Sequence, residues 1–373
     1  MTSADTVTNA AVSPAYTKTV TVTATFPKTE FPPVTKWVAL SFDDALSGAG
    51  TIRLLSILED PEFKDANHPN GVPATWFILG ENMALAATAG SVLTDTTSTY
   101  NPPYSLTTEQ QDAILRVTTR GDNLGSHAFN HYDWTYFTKT PKDQSSGNIS
   151  SANHRISGMS YYTGSVASSI SSARTANAAV MARDFQRNRQ MIVAMTTAFG
   201  YGGTAKDAQF FRHPYNSFST DLNGIFPATA TVVGTGWTFS SRSYAGIPAI
   251  ESESGDTWDW ANYAMPEADW AGTPADMIGR ATRPLGDPLG GLAANGQIYL
   301  MHDWWYETTG SGYNTLTYNS LAGIIRELRL QGYGFKTIAD LRQVRYGSTA
   351  LTAGKVYDNF VSSSPVTLTR VKE

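Results

Sequence analysis

Residues 36–44 read KWVALSFDD, and this stretch decides the fold. Its short apolar run, without strict alternation, is the pattern of a strand covered on both faces, as parallel strands are. Two carboxylates stand directly behind it. Downstream, Ile52, Leu55 and Leu58 recur at helical spacing, and Pro73–Leu79 reads as a second strand. Thr107 and Gln110 form a capping box for a helix carrying Ile114, Leu115 and Val117, which Gly121 would stop. A further run, Asp122–Ser126, leads into a histidine pair.

The alternation continues to the end of the chain. Residues 174–198 are predicted helical, and Gln209–Phe211 and Gln297–Met301 are predicted strands. Leu321, Ile324, Ile325 and Leu328 share one face of a helix over Ser320–Leu330, with Gly332 just past it, and Phe335–Ile338 closes the series as a strand. Strand and helix in repeated succession predict an α/β fold, a distorted (β/α) barrel of mostly parallel strands. Its C-terminal rim would gather the loops that follow the strands into one site. Stretches at about 88–105 and 132–173, rich in Ser, Thr, Gly and Asn, are expected as loop insertions over that rim. The expected layout is a Thr-rich extension over 1–35, a main domain over 36–343 and a tail over 344–373. Thr19–Thr25 would be either an early strand or a linker.

Composition narrows the function. A net charge of −5 offers no basic footprint for nucleic acid. Cysteine is absent, so a bound metal must be held by histidine and carboxylate. No apolar stretch approaches the roughly 18 residues of a membrane span. The opening MTSADTVTNAAVSP has neither the basic nor the apolar region of a signal peptide. Aromatic content of 12% suits a surface that stacks on sugars, although any single ring is more simply a core residue.

Five short motifs follow one another in order: Ser41-Phe42-Asp43-Asp44-Ala45, His127-Ala128-Phe129-Asn130-His131, Arg212-His213-Pro214-Tyr215, Asp256-Thr257-Trp258-Asp259-Trp260 and Leu300-Met301-His302-Asp303. Each has an ordinary explanation. Asp43 and Asp44 could cap a helix, the histidines could lie on the surface, Arg212 could make a surface ion pair, and His302 could be structural. In an extended chain Asp43 and Asp44 would point to opposite sides. Four of the chain's six histidines fall inside these motifs, and together they make the inventory of a metal-assisted hydrolase.

The motifs resemble those of the polysaccharide deacetylases, carbohydrate esterase family 4, whose signatures run T-F-D-D-G, H-[ST]-x-x-H, R-x-P-[YW], D-x-x-D-W and L-x-H. The resemblance spans about residues 36–343. It implies that Asp44, His127 and His131 bind a divalent metal, usually zinc, with cobalt or another divalent ion as a substitute. It implies Asp43 as general base oriented by Arg212, and the Tyr215 N–H as an oxyanion donor. His302 would be the general acid tuned by Asp259, and Trp260 and Leu300 would line the pocket for the acetyl methyl group.

Ala45 stands where the family has glycine, so a left-handed backbone is expected to be strained there. Ala128 stands where it has Ser or Thr, which is expected to loosen the loop. The implied substrate is an N-acetylated glycan, chitin, chito-oligosaccharide or peptidoglycan, cleaved to acetate outside the cytoplasm or in the cell envelope. The alternatives are an O-acetyl esterase on a xylan-like polymer and a non-catalytic carbohydrate-binding protein on the same scaffold.

Overall fold

Both faces of the run at 36–45 are covered, as its composition demands. The computed structural model describes residues 2–8, 19–25, 30–80, 83, 106–129, 188–208, 210–212, 230–232, 237–239, 249–251, 255–256, 273–303, 315–341 and 356–357. The first elements are β1 (Thr2–Thr8), β2 (Thr19–Thr25), β3 (Lys36–Ala45), α1 (Ala49–Leu58), β4 (Ala74–Ile78), α2 (Thr108–Arg120), β5 (Asn123–Ser126) and α3 (188–199). There follow β6 (Phe210–Phe211), β7 (Ala230–Val232), β8 (Trp237–Phe239), β9 (Ala249–Glu251) and β10 (Gly255–Asp256). Last come α4 (Pro274–Thr282), β11 (Ile298–His302), α5 (Thr315–Leu330), β12 (Tyr333–Lys336) and β13 (Val356–Tyr357). The predicted insertions at 88–105 and 132–173 lie outside the described residues.

The main sheet runs β10-β11-β3-β4-β5-β6-β9-β13, and every pairing in it is parallel. β12 pairs with the first half of β3 and β4 with the second. Parallel neighbours need crossovers, and the helices provide them on one face. This is the predicted α/β class; among the described residues the strand order is open, ending at β10 and β13. Thr19–Thr25 is a strand, paired antiparallel with β1 outside the main sheet.

Side-chain alternation divides the sheet. Val38, Leu40, Phe42, Trp76, Ile78, Tyr299 and Met301 join Leu54, Leu55, Ile114, Val117, Ile324 and Leu328 of the helices in the large core. Phe42 stacks on Trp76 with centroids 4.7 Å apart. The opposite face carries a smaller cluster of Ala39, Phe77, Phe210, Ile298, Ile338 and Leu341. Burying one such side chain contributes about 1.5–3 kcal/mol, so the helix-covered face supplies most of the stability.

Local signals agree with the helix ends. Thr107 accepts from the Gln110 N–H, the Gln110 side chain reaches back to the Thr107 N–H, and Gly121 ends α2 at φ 78°. Gly332, past α5, has φ 80°. The last strand departs from expectation: it covers Tyr333–Lys336, and residues 338–341 turn into a helix. There Thr337 caps the turn, its hydroxyl accepting from the Asp340 N–H at 3.2 Å.

Where β4 begins, a buried cluster ties the sheet to α5. The Phe335 N–H donates to Nε2 of His68 at 3.0 Å, so Nδ1–H faces Asp65 Oδ1, also at 3.0 Å. Arg329 binds the other oxygen of Asp65. Burial lowers the pKa of His68 against the pull of Asp65, with Arg329 adding to the fall.

Candidate active site

The helix-free face leads upward to the rim. Continuing Ala39 and Ser41 by alternation places Asp43 on that face; Gly125 likewise leads to His127, Phe210 to Arg212, and Ile298 and Leu300 to His302. The register puts His302 beside Asp43 and Leu300 beside Ser41. Period-2 geometry at the C-terminal ends of neighbouring parallel strands therefore gathers these chemical groups.

Asp44 breaks that rule, which corrects the expectation that the two carboxylates diverge. Its φ is 55°, and the β3–β4 register shifts between Phe42 and Ala45. The left-handed residue turns its carboxylate back toward its neighbour. His127 Nε2 consequently faces Asp43 Oδ2 at 3.7 Å and Asp44 Oδ1 at 3.8 Å. Strain was expected at Ala45; it falls instead on Asp44 and on Leu46, whose φ is 66°. Neither carboxylate caps α1, whose N-cap is Gly48.

Arg212 and Asp43 form a buried ion pair, Nη1 to Oδ1 at 2.7 Å, with side-chain exposures of 1% and 3%. The surface-pair alternative is thereby excluded. The guanidinium lies 4.0 Å above the Phe77 ring. That ring needs glycine opposite it, because a Cβ at Gly125 would come within 2.6 Å of Phe77. One carboxylate oxygen of Asp43 is thus fixed by arginine, and the other is turned toward the histidine.

His127 is buried, and its Nδ1 lies 3.0 Å from the Arg212 carbonyl oxygen. That acceptor fixes the proton on Nδ1 and leaves Nε2 basic. Burial, then the positive charge of Arg212 and the nearby His302, hold its pKa well below the usual value, so the ring is neutral.

Leu300 is buried below the rim and His302 is partly exposed at it. Beside them Asp303, outside the predicted site set, is buried and accepts from the Thr51 hydroxyl at 2.5 Å and the Ser47 N–H at 3.4 Å. Its own N–H donates to the Asp43 carbonyl at 3.3 Å. Burial raises its pKa to about 8 against the pull of the Thr51 hydroxyl, and the Asp44 charge adds to the rise.

Asp43, Asp44, His127, Arg212, Leu300 and His302 are therefore brought to one rim. His131, Tyr215, Asp259 and Trp260 lie outside the described residues. Among the described residues no group of three or more His, Asp or Glu closes on a metal position. The donors present nevertheless fit a divalent cation, because two carboxylates and a neutral imidazole nitrogen face one another beyond hydrogen-bond range. Sequence reasoning quoted Asp303 at the end of a motif but gave it no role, and missed the Phe77 floor and the polar residues behind His127, since none of those carries a motif.

A buried acid–arginine pair thus lies beside a neutral imidazole, with a second histidine at the same rim of a parallel α/β sheet. The polysaccharide deacetylase family model matches residues 32–227, and the chain belongs to that family. Among solved structures, the chain is similar to the carbohydrate esterase domain of a multidomain xylanase from the hindgut metagenome of Trinervitermes trinervoides. That match has 19% identity and a TM-score of 0.46, covering 86% of this chain and 96% of that one. It is also similar to a family 4 carbohydrate esterase from Streptomyces lividans, at 17% identity, 82% and 94% coverage and a TM-score of 0.43. For the peptidoglycan deacetylase PdaC from Bacillus subtilis the values are 14%, 83%, 90% and 0.43. No curated protein matches the chain.

Proposed function

We propose that the chain is a divalent-metal-dependent deacetylase that removes the N-acetyl group of an acetylated glycan, a chito-oligosaccharide, chitin or peptidoglycan, and releases acetate. The observation that carries this reading is His127 Nε2 turned toward Asp43 and Asp44, with Arg212 holding the far oxygen of Asp43. Asp44 and His127, completed by His131, are the ligands. Bound there, a cation such as zinc supplies Lewis-acid polarisation of the acetyl carbonyl and a more acidic water.

The chain's own groups do the rest. Asp43 Oδ2, the oxygen not held by Arg212, accepts the water's proton as the C–O bond forms. His302, on the strand beside it, gives a proton to the amine as the C–N bond breaks. Asp259 orients His302, the Tyr215 N–H meets the oxyanion, and Leu300 and Trp260 enclose the methyl group. The reading places the protein in the cell envelope or outside the cell, where such polymers lie.

The test is mass spectrometry of products from acetylated chito-oligosaccharides, peptidoglycan fragments and acetyl-xylan, before and after chelation. Acetate loss from an N-acetylated substrate, abolished by chelator and restored by zinc or cobalt, is expected. Cleavage of acetyl-xylan alone would make the protein an O-acetyl esterase, and full activity after chelation would remove the metal from the reading.

A further inference from the structure

Asn188, the first described residue of α3, is fully buried and belongs to no motif. Its amide nitrogen donates to the Ile78 carbonyl and to the Ser126 hydroxyl oxygen, both at 2.8 Å. Those two acceptors also hold the backbone of the histidine loop. The Ile78 carbonyl takes the His127 N–H at 2.9 Å, and Ser126 Oγ takes the Ala128 N–H at 3.3 Å. The Ser126 carbonyl accepts from the Arg212 N–H at 3.0 Å, which ties the loop to the arginine strand.

The loop needs such support. Ala128 has φ 67°, a left-handed conformation that a residue with a Cβ adopts only when its surroundings impose it. Position 128 has no hydroxyl of its own, and the hydroxyl at hand is that of Ser126, gripped from behind by Asn188.

Packing alone does not account for asparagine here. Both amide hydrogens are used, but Oδ1 is buried with no partner among the described residues. A stranded buried acceptor costs stability, which leucine, of similar volume, would avoid. Leucine would also forfeit both hydrogen bonds, so what asparagine supplies here is the grip on the loop.

We propose that Asn188 is a positioning residue for the metal site, fixing the backbone of residues 126–128 so that Nε2 of His127 faces Asp43 and Asp44. The inference rests on the deacetylase reading above. Outer partners of this kind hold a ligand's direction, and their loss typically weakens metal binding about 10–100-fold.

The test compares zinc affinity, by competition with a chromogenic chelator, with thermal stability in Asn188→Leu and wild type. The expected result is a zinc Kd raised about 10-fold or more and an altered visible spectrum of the cobalt-loaded protein, in a variant that is still folded at the assay temperature. Should Asn188→Leu fail to fold, Ser126→Ala removes only the shared hydroxyl and is expected to raise the Kd in the same sense. A folded variant with wild-type zinc affinity and cobalt spectrum overturns the proposal while leaving the deacetylase reading intact. A wild-type chain that takes up no zinc overturns the metal-dependent reading, and this inference with it.

Discussion

Two buried clusters in this molecule contain the same side chains, a histidine, an arginine and aspartate, at opposite ends of the sheet. Around His68 both ring nitrogens are committed, Nε2 to the Phe335 N–H and Nδ1 to Asp65. Around His127 a backbone carbonyl takes Nδ1, and Nε2 is turned to two carboxylates that it does not touch. Burial depresses both histidines, so their titration does not separate them. What differs is what Nε2 faces, a backbone N–H at His68 and two carboxylates at His127. Residue type alone therefore does not distinguish a structural knot from a reactive site.

The backbone draws the same contrast. Among the described residues, the non-glycine positions with positive φ are Asp44, Leu46 and Ala128, all at the rim. In the loop after His68 the corresponding position is Gly71, at φ 90°, where an added Cβ would come 2.1 Å from the Leu58 carbonyl oxygen. Strain is relieved with glycine at the His68 end and retained at the rim.

The largest effect that could break this comparison is on metal uptake. His127→Ala should abolish zinc binding and acetate release, whereas His68→Ala should leave the zinc Kd and turnover near wild type and lower the melting temperature by several degrees. Isothermal titration and acetate assay on both variants decide it; equal loss of zinc in the two would erase the distinction. Next come the arginines. Arg212→Ala should lower kcat about 10²-fold or more, the scale of a disabled general base. Arg329→Ala should cost about 1–3 kcal/mol of stability by removing the charged hydrogen bond to Asp65, with kcat of the folded fraction unchanged.

A smaller effect sharpens the account of the rim. Asp303 has a folded pKa of about 8, above its ordinary 3.8, so the metal-free folded chain keeps a proton that the unfolded chain releases between those values. Its contribution is full below the lower value and is lost as pH rises toward the upper one, by at most about 1.4 kcal/mol per pH unit. Asp303→Asn should remove that slope. The melting temperature of metal-free Asp303→Asn minus that of wild type should rise steadily from pH 5 to pH 8, and a difference flat in pH would refute the burial argument. The smallest effect concerns Ala128→Gly. Relief of the left-handed backbone, less the entropy of a glycine, should stabilise the fold by about 0.5 kcal/mol, read by urea denaturation.

Much of this was legible in the sequence because it rests on short periods. The strands around 36–45, 74–78, 210–211 and 298–302 follow from apolar runs, and alternation continued along them leads to Asp43, Arg212 and His302. The Thr107–Gln110 capping box and the stop at Gly121 were legible for the same local reason. Three-dimensional coincidences were not. Nothing near Asn188 in the chain announces that its amide would reach Ile78, whose sequence separation is 110 residues. The bend at Asp44 was hidden as well: aspartate tolerates positive φ better than most residues, but directly behind an apolar run it reads as the continuing strand. The helix α4, capped by Thr273 with Pro274 behind it, carries a clear start signal that was passed over because no chemical motif adjoined it.

The division of β3 by parity has a bearing on how such a protein can change over time. Positions 38, 40 and 42 face the helices and belong to the main core, while 39, 41 and 43 lie on the opposite face and lead to the Asp43 carboxylate. Foldability and chemistry are thus written on alternate letters of one ten-residue strand. Conservative drift on the second set of letters can alter the site while leaving the helix-facing core of 38, 40 and 42 untouched. A lineage built on this sheet is free to explore new substrates, or to abandon catalysis, while inheriting an unchanged scaffold.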